Sequence, residues 1–109
     1  MDQSNKNVSR VGNISLHKLI DPNSSTCMIY LHGFPGPVDE SPQFVPRFDH
    51  SIEHFSRTNN ISLLHFRYSG LGDSSGALSF KQTVDDAVQV LKYYIAQHKK
   101  NFKQTVIFA

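Results

Sequence analysis

Apolar residues along the chain gather into three short continuous runs, with polar or periodic stretches between them. Cys27-Met28-Ile29-Tyr30-Leu31 is the first. Ile61 to Phe66 is the second and Thr105-Val106-Ile107-Phe108-Ala109 the third. Runs of this length and kind are the pattern of strands buried on both faces. Ahead of them, Val8 to Ile20 reads as extended, with Ile14, Leu16, Leu19 and Ile20 broken by polar residues and Asp21-Pro22-Asn23 closing it as a turn. Between the first two runs, Phe44, Phe48, Ile52 and Phe55 recur at helical spacing, which predicts one buried face of a helix opened by Pro42 or Pro46. Between the last two, Ser79 and Gln82 form a capping-box pair. Phe80, Val84, Ala87, Val88, Leu91 and Ile95 then define the expected buried stripe of a second helix. Asp85 and Asp86 are expected to complement its positive start, and Lys99 and Lys100 its negative end.

Strand, helix, strand, helix, strand with short connections implies right-handed crossovers. The expected class is α/β: a three-layer sandwich with a mostly parallel sheet and helices on both faces. The three runs should be neighbouring parallel strands, and the Ile14–Ile20 segment should join antiparallel at the far edge. Residues 1–12 read as a polar tail and residues 13–109 as one domain. A buried-type strand at 105–108 with no helix after it leaves an apolar edge open. The sequence is therefore expected to be the front part of a larger fold, and to self-associate through that last strand.

Composition narrows the function classes. The 109 residues carry 11 basic and 9 acidic side chains, a net charge of +2 without a basic stripe, which argues against nucleic acid as a partner. No apolar run approaches bilayer-spanning length, so no membrane partner is expected. A single cysteine and a polar first ten residues fit a cytoplasmic protein. Cys27 itself, at the start of a buried strand, is expected to be inert.

In an open parallel sheet, ligands bind at the carboxyl ends of the strands. Two glycine-rich loops fall there. Tyr30-Leu31-His32-Gly33-Phe34, followed by Pro35, resembles the strand ending in His-Gly of the α/β-hydrolase family. Phe66 to Gly76 resembles that family's second loop, with Ser69 where Arg is customary and Arg67 where Asp or Asn is common. The resemblance covers Ile14 to Ala109 and implies that the first run lies between the other two in the sheet. It implies serine-hydrolase chemistry on an ester- or amide-type bond of a small-molecule or peptide acyl substrate, with no cofactor. It also implies that the Phe34 backbone N–H donates to the oxyanion, with Gly33 and His32 as loop support. The family's nucleophile elbow would begin just after Ala109, and its acid and histidine later still, so the chain alone is expected to be inactive.

Three other constellations carry alternative chemistry. Gly72-Asp73-Ser74-Ser75-Gly76 resembles the Gly-Asp-Ser nucleophile blocks of trypsin-like proteases and of the Gly-Asp-Ser-Leu hydrolases. The first requires two β-barrels and the second a serine directly after the first strand, so Ser74 reads instead as a loop residue bonding backbone. His50-Ser51-Ile52-Glu53-His54 matches His-x-x-Glu-His, a zinc motif. Its histidines are expected to face solvent, and the chain has no glutamate after Glu53 to complete a metal site. Gly70, Gly72 and Gly76 follow a strand and precede a helix, which suggests a nucleotide or dinucleotide module, although the spacing is one residue off Gly-x-Gly-x-x-Gly. Tyr93 and Tyr94 read as packing residues.

Overall fold

The computed structural model describes residues 6–32, 48–71 and 73–109. Strands β1 (Lys6–Val11) and β2 (Ile14–Leu19) form an antiparallel hairpin. They are followed by β3 (Thr26–Tyr30), helix α1 (Phe48–Thr58), β4 (Ser62–Phe66), helix α2 (Phe80–Gln97) and β5 (Gln104–Phe108). The sheet order is β1-β2-β4-β3-β5. β3 pairs in parallel with β4 on one side and with β5 on the other, the order that the resemblance implies. β2 joins antiparallel to β4. The sheet is thus mixed, with a parallel core of three strands and an antiparallel hairpin at one side. The hairpin is longer than the sequence suggests. Gly12 takes a φ of 60° in the turn, so Lys6–Val11 becomes an outer strand and the Ile14–Leu19 strand moves one place inward.

Side-chain alternation divides the core into two layers. Ile14, Leu16, Cys27, Ile29, Leu64 and Phe66 face α2 and close over Val90 and Tyr94. Leu19, Met28, Tyr30 and Leu63 point the other way, toward Ile52 of α1. Helices therefore cover both faces. Burial runs through all five residues of β4, which has partners on both edges and helices above and below. No helix among the described residues is long and apolar enough to cross a membrane.

Both helices bury a different face from the one their apolar spacing predicts. In α1, Glu53 and Ser56 are buried, Ile52 is half-buried and Phe55 stays 48% exposed. The Ser56 hydroxyl bonds the Ile61 carbonyl and Glu53 bonds His65 of β4, so polar anchors set the rotation. Phe44 lies outside the described residues. In α2, the buried residues are Thr83, Asp86, Val90 and Tyr94, whereas Phe80, Val84, Val88 and Ile95 are exposed. The Tyr94 hydroxyl reaches Thr105 Oγ1 at 2.6 Å and Asp86 is held beneath Ser69, which turns the stripe away from the sheet. Ser79 caps the helix by accepting from the Gln82 N–H at 3.0 Å. The Gln82 side chain, however, reaches forward to Asp86 instead of back to the cap.

Burial pushes the Cys27 thiol up to about 12, with a hydrogen bond to Tyr94 opposing it. The thiolate is the reactive form. The expected outcome is that a disulfide-exchange reagent at neutral pH modifies Cys27 no faster than the protein opens. Full reactivity should appear at the denaturant midpoint seen by circular dichroism.

Candidate functional site

The loops after β3 and β4 emerge at the same end of the sheet. His32 is buried, and its ring lies 4.5 Å from that of Tyr68 at an interplanar angle of 52°. Tyr68 in turn meets Phe66 edge-on, with ring centroids 5.4 Å apart. These ring contacts tie the end of the first loop to the core. Gly33 and Phe34 follow immediately and lie outside the described residues, as do Pro35 and Gly72.

The second loop is built on a buried carboxylate. Asp86 accepts from the Ser69 N–H at 2.7 Å, the Ser69 hydroxyl at 2.9 Å and the Gln82 amide at 2.9 Å. Asp86 is therefore not a helix-dipole partner. It reaches out of the second turn of α2 to hold the loop, while Asp85 remains exposed. Burial first, and the Asp86 charge second, raise the Tyr68 hydroxyl above its ordinary pKa. Gly70 has a φ of 86°, and a Cβ there would meet the Leu78 nitrogen at 2.6 Å, so only glycine fits this return of the chain.

Ser74 is locked into the same structure. Its hydroxyl donates to the Arg67 carbonyl at 2.7 Å and accepts from the Ser15 N–H at 3.1 Å. Gly72 to Gly76 also spells Gly-x-Ser-x-Gly letter for letter, a match that the Gly-Asp-Ser reading passes over. The elbow that gives that motif its chemistry is a sharp, strained strand-to-helix turn with an exposed serine. Here β4 ends at Phe66, Ser74 is buried, and among the described non-glycine residues only Asn60 has a positive φ. Ser74 is a structural serine.

The phosphate-cradle alternative meets a similar obstacle. The Ser69 amide is engaged by Asp86, Gly70 by the Ser75 carbonyl and Leu71 by the Tyr68 carbonyl. Those of Ser74 and Ser75 bond to Leu71 and Asn13. These five amides are unavailable to a phosphate, and the Asp86 carboxylate beneath them would repel one.

On the α1 face, polar residues gather that sequence spacing does not bring together. His17 of β2 and His65 of β4 are cross-strand partners, with rings stacked 5.1 Å apart at 18°. Each histidine has its own carboxylate. His17 Nε2 lies 3.0 Å from Asp73 Oδ2, and His65 Nε2 lies 2.6 Å from Glu53 Oε2. The Ser15 hydroxyl donates to the same Asp73 oxygen at 2.7 Å, and Arg57 stands 3.7 Å from Glu53. The available signal was the polar alternation Ser15, His17 and His65, Arg67 within otherwise apolar strands. Which two histidines meet is decided by register alone.

This arrangement also separates the zinc-motif residues. Glu53 turns inward to His65, whereas His54 is exposed and lies 3.5 Å from Thr58 Oγ1. The His50 side chain lies outside the described residues. Among the described residues, no group of three or more His, Cys, Asp or Glu side chains is placed to hold a metal ion.

Comparison with solved structures gives the fold its relatives. The esterase Pf2001 of Pyrococcus furiosus superposes with a TM-score of 0.73 at 16% identity, over 94% of this chain and 40% of that one. XC6422 of Xanthomonas campestris, an α/β serine hydrolase without a lid, gives 0.62 at 15% identity, over 100% of this chain and 53% of the other. An α/β serine hydrolase homologue from Coxiella burnetii gives 0.58 at 14%, again over 100% and 53%. The chain has the α/β-hydrolase fold and spans about 40–53% of the length of these structures. No family model and no curated protein matches the sequence.

Two outcomes test this site. Asp86→Ala strands the buried Ser69 N–H and hydroxyl and should destabilise the fold by about 2–3 kcal/mol in urea denaturation. Asp73 sets the acid response. Burial alone would raise its carboxyl, but the Ser15 hydrogen bond and the His17 ring outweigh it and hold it below the ordinary 3.8. A depressed folded-state pKa stabilises above the unfolded value, and that contribution fades as pH falls through the folded one, below about 3.8. Asp73→Asn should therefore lose less stability than the parent chain between about pH 6 and pH 3.

Proposed function

We propose that these 109 residues supply the scaffold and the oxyanion loop of a cytoplasmic serine hydrolase. The loop that begins at His32 would present the Phe34 N–H to the oxygen of a tetrahedral intermediate. Gly33 would allow close approach of the backbone, and Pro35 would stiffen the turn. The substrate would be an ester- or amide-type acyl compound, small or peptidic. Hydrolysis would follow a Ser-His-Asp mechanism once a nucleophile elbow after β5, with its acid and base, completes the fold. The observation that carries this reading is the tilted contact of the His32 ring with that of Tyr68. It brings the beginning of the first loop against the second at the carboxyl end of the parallel strands, where α/β sheets bind ligands. The esterase and hydrolase relatives support it, each with roughly twice the length of chain or more.

On this reading the nucleophile, base and acid act as a unit, and the 109 residues alone have none of the three. The only serine in a nucleophile-like sequence, Ser74, gives its proton to a carbonyl instead of a base.

The test is a fluorophosphonate probe together with a p-nitrophenyl ester assay. The chain should stay unlabelled and show no turnover above background, while Ser74→Ala should lower stability by about 1–3 kcal/mol through its lost hydrogen bonds. Labelling at Ser74 would overturn the reading. In a longer chain in which this segment continues into a nucleophile elbow, Phe34→Pro removes the donor N–H and should lower kcat by about 100- to 1,000-fold.

A further inference from the structure

Polar groups meet where α2 crosses the hairpin, at the side of the sheet remote from β5. Lys18 of β2 donates from Nζ to the Tyr93 hydroxyl of α2 at 2.8 Å, and the ammonium stands 5.3 Å from the centre of the Tyr93 ring. Ser9 of β1 adds a second hydrogen bond to the same hydroxyl. The His98 ring lies 5.6 Å from that of Tyr93 at 59°. The proposed hydrolysis uses none of these four residues.

Tyr93 differs from the other three tyrosines in access and in electrostatics. Tyr30, Tyr68 and Tyr94 are 7%, 8% and 2% exposed, whereas Tyr93 is half-buried. Burial raises Tyr68 and Tyr94. At Tyr93 burial has the same sign, but the Lys18 ammonium and Ser9 outweigh it and bring the phenol below its ordinary 10. Burial, and then the Lys18 charge, lowers His98 as well. That ring is therefore neutral at pH 7, and Lys18 supplies the positive charge that favours a phenolate.

We infer that Tyr93 is the nitration site of the chain: the ring held by Lys18 and Ser9 takes a nitro group, at a carbon beside its hydroxyl, from an oxidising nitrogen donor X–NO2. Such donors attack the phenolate form, whose oxygen feeds electron density into the ring. The ring carbon bonds to the nitro nitrogen as the X–N bond breaks, and the electron pair of that bond leaves on X as an anion. The carbon then gives up its hydrogen to water as a proton, which restores the aromatic ring. The ring is oxidised by one electron pair and the donor reduced by it. Because Lys18 and Ser9 already engage the oxygen, attack falls on carbon. A nitro group withdraws electrons, so the product ionises more readily and forms a full ion pair with Lys18. Nitration thereby tightens the tie between α2 and the hairpin.

Tetranitromethane on the folded 109-residue chain tests this, with circular dichroism to confirm the fold. Fragment-ion sequencing of the digested product separates Tyr93 from its neighbour Tyr94. Tyr93 should be nitrated first, and Tyr30, Tyr68 and Tyr94 only in denaturant. Lys18→Met should slow the reaction about tenfold, the change in phenolate that one pKa unit brings, whereas Lys18→Arg should keep most of the parent rate. If Lys18→Met fails to fold, ultraviolet titration of the phenols replaces it. One phenol should then ionise ahead of the others in the parent chain, and that step should be missing from Tyr93→Phe. A folded chain that resists nitration, or in which another tyrosine reacts before Tyr93, overturns the inference. So does a folded Lys18→Met that reacts at the parent rate, Lys18→Arg as slow as Lys18→Met, or an early phenol that survives Tyr93→Phe.

Discussion

The carboxylate of Asp86 sits where a charge is costly, and most of the architecture follows from how it is satisfied. An ionised group removed from water is tolerated only when its oxygens are hydrogen-bonded. Ser69 supplies two donors and Gln82 a third. Because the Ser69 donors belong to the loop after β4 and the acceptor to α2, their bonds set the rotation of the helix about its axis. That rotation puts Val90 and Tyr94 over the sheet and carries Tyr94 to β5. It also leaves Val84, Val88 and Ile95 outside. The shape of the loop and the seat of the helix are one solution to one burial problem.

The class was legible because it depends on averages, and the order of the parallel strands came with the family resemblance. Three β-branched or aromatic runs with helical spacing between them leave few arrangements, and the parallel β4-β3-β5 core is one of them. Helix faces were not legible. The apolar spacing of Phe80, Val84, Val88 and Ile95 is a valid stripe, but the stripe only says where burial is favourable. A hydrogen-bonded carboxylate and a phenol reaching Thr105 decided which face went in. Glu53 and Ser56 overrode Phe55 in α1 for the same reason. The site divides along similar lines. The His-Gly strand end and the glycine loop can be read from residue order, whereas the stacked His17 and His65 depend on a strand register that no local pattern encodes.

The two faces of the sheet serve different ends. The α2 face is a packed apolar layer with one buried acid at its rim. The α1 face places Ser15, His17, His65, Glu53 and Asp73 in a ladder of paired donors and acceptors. Hydrogen bonds of this kind add directional constraint that apolar packing lacks. They join the hairpin, α1, β4 and the loop at Asp73, segments far apart in the chain. Residues that resemble motif fragments, Asp73 beside Ser74 and Glu53 beside His54, are thereby taken up by structural work.

The sheet order has a consequence for how the molecule assembles. Among the described strands, only β1 and β2 are joined by a tight turn; every other pairing closes a longer loop. Loop-closure entropy must be overcome before such contacts return any energy, so topologies of this kind fold more slowly than those built from local contacts. β2 waits for β4, more than forty residues later, and β3 waits for both β4 and β5. During synthesis the hairpin and the Cys27–Leu31 strand leave the ribosome well before the segments that pair with them. A fully apolar central strand is then exposed to other chains until both of its partners are made.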